Sequence, residues 1–258
     1  MSVIFEILDG VARVTINRPD RMNAMDSTTQ IRLQEIWEEI EANPDVRCVV
    51  LTGSGEKAFS AGADLKSDSG KSGIEYWKDF SNSGFRQMAM RTTLKIPVIA
   101  RINGLALGGG LEMAMGCDIL IATETARFGL PEAKVGRMPL DGGMVMLPRL
   151  IPRNIAVGMM MTGRMIMAAE MMRYGLLNAV VPADELDAEI DRWVADILAA
   201  APLSLKAIKA SVRETAEMSI QDAYRHETPE LIAALTSKDA EEGVTAFREK
   251  RTPEWRGV

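Results

Sequence analysis

The first residues alternate strictly. Val3, Phe5 and Ile7 lie on one side of an extended segment and polar residues on the other. Asp9-Gly10 is a two-residue hairpin turn, and Ala12, Val14 and Ile16 alternate on the return. Asn17-Arg18-Pro19-Asp20 breaks the strand. Asp26 or Ser27 then caps a helix to about Glu41, with an apolar stripe of Leu33, Ile36, Trp37 and Ile40. Asn43-Pro44 ends it. Three short, almost wholly apolar runs follow, Val46 to Leu51, Pro97 to Ile102 and Cys117 to Ala122. This is the pattern of strands covered on both faces. Helical stretches separate them, which predicts an α/β fold of parallel character. Beyond about Pro148, Val181-Pro182 is the last strand-like feature. Helices are predicted over Leu186 to Ala200, Leu203 to Met218 and Ile220 to Leu235, with a last one from Ser237 or Asp239 to Arg251.

Composition narrows the function. Of 258 residues, 47% are hydrophobic and 26% charged, ordinary values for a globular chain that buries a sizeable core. A net charge of −6 leaves no basic surplus for a phosphate backbone, so no nucleic-acid partner is expected. Charge or glycine interrupts every apolar stretch well before the ~18 residues of a membrane span. MSVIFEILDG lacks the basic and long apolar regions of a signal peptide. Cys48 and Cys117 read as buried thiols of a reducing compartment, which places the protein in the cytoplasm. With His226 the only histidine, neither a metal site nor a serine-type triad is expected. The methionine cluster from Met159 to Met172 reads as helix packing rather than a ligand surface.

Two glycine segments follow the first two covered strands: Phe59-Ser60-Ala61-Gly62-Ala63-Asp64-Leu65-Lys66, and Asn103-Gly104-Leu105-Ala106-Leu107-Gly108-Gly109-Gly110-Leu111-Glu112. The second opens an apolar helical pattern. Glycines there allow close approach of a ligand and leave free N–H groups at a helix start, which suits a carbonyl oxygen becoming an oxyanion. The spacing is neither GxGxxG nor a P-loop. From spacing alone, a purely structural glycine turn stays open. Glu112 falls in the first turn of that helix and Glu132 in Phe128-Gly129-Leu130-Pro131-Glu132 after the third strand. Singly, each is the kind of glutamate found on a surface. Together in one dry pocket, two carboxylates can be split into an acid and a base.

These segments, with Thr15-Ile16-Asn17-Arg18-Pro19, Leu147-Pro148-Arg149-Leu150 and Phe247-Arg248-Glu249-Lys250-Arg251, resemble the enoyl-coenzyme A hydratase/isomerase (crotonase) family nearly end to end. The resemblance implies an α/β spiral of ββα turns over residues 1–200 and a helical trimerisation region over 201–258. It implies a homotrimer or dimer of trimers acting on an acyl-coenzyme A thioester, with no cofactor besides the coenzyme A of the substrate. The N–H groups of Ala63 and Gly109 would form an oxyanion hole. Glu112 would deprotonate water and Glu132 would exchange the proton at Cα. Ala61, Gly62, Asp64, Leu65, Lys66 and Gly108 would bind substrate, with the adenine near Ala61 to Leu65. Phe247 and Lys250 would reach coenzyme A.

Two departures qualify the resemblance. Pro139-Leu140-Asp141-Gly142-Gly143 stands where hydratases commonly carry Pro-Gly-Ala-Gly-Gly, so Leu140 reshapes the pocket and Asp141 adds a third carboxylate. Asp141 reads either as a solvated or helix-capping residue or as a proton-transfer group, the latter as in isomerases of the family, whose Asp is offset by one residue from this one. The distal motifs Leu130 to Lys134, Met161 to Arg164 and Lys250 to Gly257 are also similar to carnitinyl-coenzyme A dehydratases. There Asp141 would suit a trimethylammonium, and Tyr76 or Trp77 would supply a cation–π face. Tyr76, Trp77, Phe80 and Phe85 recur at helical spacing, which predicts a core-facing stripe. A non-catalytic assembly protein on the same fold is the rival from another class.

Overall fold

The computed structural model describes residues 1–67, 73–78 and 86–258, without the side chains of Arg86 and Gln87. The hairpin forms as its alternation predicts: β1 (Val3–Leu8) pairs antiparallel with β2 (Val11–Ile16), and Asp9 and Gly10 both take positive φ in the turn. Asp26 caps α1 (Ser27–Ala42), accepting from Thr29 N–H at 2.9 Å. Next come β3 (Cys48–Gly53), β4 (Ala58–Ser60), the short helices α2 (Gly73–Lys78) and α3 (Arg86–Ala89), β5 (Val98–Ile102), β6 (Leu105–Leu107) and α4 (Gly109–Met115). β7 (Ile119–Thr123) and β8 (Arg127–Gly129) lead to α5 (Gly143–Leu150), α6 (Arg153–Thr162), β9 (Ile166–Met167), α7 (Ala168–Arg173) and β10 (Ala179–Val181). The chain finishes in α8 (Leu186–Ala199), α9 (Pro202–Glu214), α10 (Ile220–Arg225), α11 (Pro229–Leu235) and α12 (Lys238–Glu249).

One sheet has the order β1-β2-β3-β5-β7-β10, parallel from β2 onward. The other has the order β4-β6-β8-β9. The strand pairs β3/β4, β5/β6 and β7/β8 each give one strand to each sheet, so the chain winds as a spiral. Side-chain alternation makes both faces of the larger sheet apolar. Val49 and Leu51 join Trp37, Phe59 and Phe128 in the main core, while Cys48 and Val50 face Leu186, Ile190, Val194 and Ile197 of α8. This explains why the strands read as continuous apolar runs. Both cysteines are free and buried, and burial pushes the Cys48 thiol up to about 12. No helix among the described residues is long and apolar enough to cross a membrane.

The expected helix from Ile220 to Leu235 is two helices. Pro229 cannot donate a helical N–H, and Thr228 instead caps α11 by accepting from Leu231 N–H at 3.1 Å. The methionine cluster divides. Met159 and Met171 are core residues, whereas Met161 and Met165 are exposed. The expected aromatic stripe is not core-facing where it is described, since Trp77 is 48% exposed and Tyr76 turns toward Asp141. Phe80 and Phe85 lie outside the described residues.

Candidate active site

Pairing of β4 with β6 brings the two glycine segments side by side. The approach is too close for side chains. A Cβ on Gly62 would lie 2.9 Å from Gly109 N, and one on Gly110 would lie 2.2 Å from Ser60 O. Gly108 takes φ 54° and ψ −130°, a conformation left to glycine, before opening α4. Met25 N–H donates to Gly62 O at 2.8 Å and Asp64 N–H donates to Met25 O at 3.0 Å. This short parallel bridge uses the groups on either side of Ala63 and leaves the Ala63 N–H out of it. Gly109 N–H stands at the first position of α4, where no helical acceptor exists. Among the described residues, two peptide donors therefore remain without an acceptor at one place, the requirement for holding a developing oxyanion.

Glu112 is 2% exposed. Its Oε1 accepts from Asp141 N–H at 2.9 Å and Gly143 N–H at 2.8 Å. Burial pushes its carboxyl up to about 8. The charges of Asp141 and Glu132 add to that, and the two N–H donors oppose it. Glu132 begins a 3-10 turn after Pro131, and its Oε1 lies 3.0 Å from where a Cβ of Gly108 would sit. Its Oε2 is buried with no hydrogen-bond partner among the described residues. Burial raises its carboxyl too, as does Asp141. Asp141 is 6% exposed and accepts the Tyr76 hydroxyl at 2.7 and 2.8 Å. It is thus a pocket residue and not a solvated cap. Asp141 and the Tyr76 phenol join Glu112, while Glu132 lies against Gly108 at the start of α4.

The remaining expected residues divide by position. Ala61, Leu65 and Lys66 lie on the same loop, with Leu65 and Lys66 exposed. Asp64 is committed within the chain. It accepts Lys66 N–H, and then Arg18, and these hold its carboxyl below the usual range. Phe247 and Lys250 sit at the end of α12, both exposed. No described contact of this chain joins them to Ala63, Gly109 or the carboxylates. Sequence reasoning missed the anchoring role of Gly143 N–H and the hydrogen bond from Tyr76 to Asp141. Both depend on which loops meet in space, and the departure at 139–143 was the one signal pointing there. No group of metal-binding side chains is present among the described residues.

The sequence model described as enoyl-CoA hydratase/isomerase matches residues 6–258. A carnitinyl-CoA dehydratase of Salmonella enteritidis is 39% identical over 251 residues, covering 96% of this chain and 95% of that protein. One from Shigella flexneri is 38% identical with the same coverage. Among solved structures, an enoyl-CoA hydratase from Bacillus anthracis superposes with a TM-score of 0.92 at 35% identity, covering 100% of both chains. An enoyl-CoA hydratase from Mycobacterium tuberculosis does so at 0.90 and 30%, covering 100% of this chain and 99% of that one.

Proposed function

Because the chain belongs to the enoyl-CoA hydratase/isomerase family, we propose that it adds water reversibly across the 2,3 double bond of an enoyl-CoA thioester. The observation that carries this is the convergence of the buried Glu112 and of Glu132, whose Oε2 is buried, on the loops that offer the Ala63 and Gly109 N–H groups. In this reading the thioester carbonyl accepts both N–H bonds, and they hold the enolate charge as the water oxygen bonds Cβ. Losing one such donor typically costs about 10²–10³ in rate. The water proton passes to Glu112, whose Oε1 is fixed by two backbone donors. Glu132 gives a proton to Cα. Three neighbouring carboxylates cannot all ionise freely, so the pair keeps one proton near neutral pH. With Glu112 pushed up to about 8, that proton rests on Glu112 in the free enzyme, and hydration requires it to pass to Glu132 before water attacks. One charged and one protonated partner is what the addition needs.

A second reading, dehydration of carnitinyl-CoA to the corresponding enoyl thioester, is favoured by Asp141. Its negative charge and the ring of Tyr76 form a face suited to a cationic acyl group, and relatives at 38–39% identity carry that name. Family isomerases move a double bond instead, and Asp141 would serve there as a proton carrier. One experiment separates these readings: steady-state turnover of crotonyl-CoA, carnitinyl-CoA and a neutral 3-hydroxyacyl thioester of similar size, with double-bond migration followed in the same run. Hydration of crotonyl-CoA lost on Glu112→Gln and Glu132→Gln is the result expected. Near-wild-type rates in both variants would remove the carboxylate pair. No turnover of any thioester would leave an assembly protein on this fold. A homotrimer or dimer of trimers fits the apolar residues left exposed on the C-terminal helices, among them Ile208, Val212, Ile220 and Leu235.

A further inference from the structure

One guanidinium sits behind the oxyanion loop. Arg18 lies in the turn after β2, with its side chain 18% exposed. Its Nη2 is 2.9 Å from Asp26 Oδ2 and 3.1 Å from Asp64 Oδ2, and its Nη1 donates to Ala24 O. It therefore grips residues 24–26 on one side and residue 64 on the other. Those segments are the two halves of the bridge formed by Met25 and Ala63. Successive peptides of an extended chain present their hydrogen-bonding groups to opposite sides. With Gly62 O and Asp64 N–H turned to Met25, the Ala63 N–H faces away from that bridge, on the side where Gly109 lies against Gly62.

We infer that Arg18 is a positioning residue for the oxyanion hole, clamping Asp26 and Asp64 so that the Ala63 N–H keeps its direction. This rests on the hydratase reading of the site. Removing the guanidinium leaves two carboxylates facing each other across the bridge, and their repulsion moves the Ala63 peptide. The turn itself has separate support. Arg18 N–H donates to Asn23 Oδ1 at 3.0 Å, and Asn23 Nδ2 donates to Ser54 O and Ala58 O at 3.0 and 2.7 Å. Truncating the Arg18 side chain keeps those bonds. Lysine at this position keeps one charge but cannot span three acceptors with a planar fork.

The test uses a CoA thioester of a para-amino-substituted cinnamic acid, whose absorption moves to longer wavelength when its carbonyl is polarised. Spectra are taken at saturating ligand for the wild type, Arg18→Met and Arg18→Lys, alongside kcat for crotonyl-CoA. The wild-type complex is expected to shift to the red. Arg18→Met is expected to lose most of that shift at full occupancy, with kcat down about tenfold or more, a part of what deleting an oxyanion donor costs. Arg18→Lys is expected to fall between. A full wild-type shift in bound Arg18→Met overturns the inference. If that variant does not fold, a full shift in Arg18→Lys overturns it instead. A wild type that binds without any shift removes the hydratase reading, and this inference falls with it. A normal wild-type shift with unchanged variants removes the role of Arg18 alone.

Discussion

Glu112 and Glu132 are the same side chain in two unlike places. Glu112 belongs to α4, every residue of which is buried, and two backbone N–H groups pin its Oε1. Glu132 begins a 3-10 turn that has no buried residue, and its Oε2 is held by nothing among the described residues. Both carboxyls are pushed up, and burial is the chief cause for each. The difference is in rigidity. A group that must hold water at one angle gains from a fixed oxygen. A group that trades a proton with Cα gains from a carboxylate oxygen left unpinned, as Glu132 Oε2 is among the described residues. The contrast teaches that protonation and placement are set separately: the shared pocket sets the first, and each carboxylate's own backbone sets the second.

The contrast can be broken most sharply by removing proton capacity. Glu112→Gln and Glu132→Gln are each expected to lower kcat for crotonyl-CoA by about 10³, within the 10²–10⁴ range of acid–base catalysis. Shortening tests the rigidity claim. Glu112→Asp withdraws the carboxylate from both N–H donors and is expected to cost about 10²-fold in kcat, as a misplacement near 1 Å does. Glu132→Asp is expected to cost about tenfold less, because its Oε2 has no hydrogen bond among the described residues to lose. Equal losses in the two Asp variants would end the distinction. Gly143→Ala approaches Glu112 from the other side. The new Cβ would lie 2.9 Å from Glu112 Oε1 and 2.7 Å from Pro139 Cβ, so kcat is expected to drop at least tenfold together with the melting temperature.

Smaller effects sharpen the electrostatics. Tyr76→Phe removes the donor to Asp141 and is expected to change kcat/KM several-fold, more for a cationic acyl thioester than for crotonyl-CoA. A uniform change across substrates would detach Asp141 from acyl recognition. A separate effect is on stability against pH. The Glu112 carboxyl is raised in the folded protein from an ordinary 4.5 to about 8, so the folded state binds its proton more tightly than the unfolded state does. Its contribution is fully present below about 4.5 and is lost as pH rises through about 8. Melting temperatures across that window are expected to fall for the wild type and to fall less for Glu112→Gln.

Most of the fold was legible in the chain. Alternation in β1 and β2, the Asp9-Gly10 turn and three doubly covered strands are local properties, written in side-chain period and turn chemistry. The break at Pro229 was equally local and was passed over by a periodicity that ran on to Leu235. Less of the site was legible. Gly62, Gly108 and Gly110 announced close backbone approach, but the partner of each, Gly109 N, Glu132 and Ser60 O, is set by strand pairing between distant segments.

By itself the sequence determined the elements, the apolar faces and the family to which the chain belongs, because these follow from periods and motifs that neighbouring residues carry. Only the tertiary structure decided that Asp141 joins the two glutamates, that Tyr76 serves it from a separate helix and that Arg18 ties Asp64 to Asp26. Charge and hydrogen bonding act over a few ångströms of space, whereas Tyr76 and Asp141 stand 65 residues apart along the chain, and no local pattern encodes such a meeting.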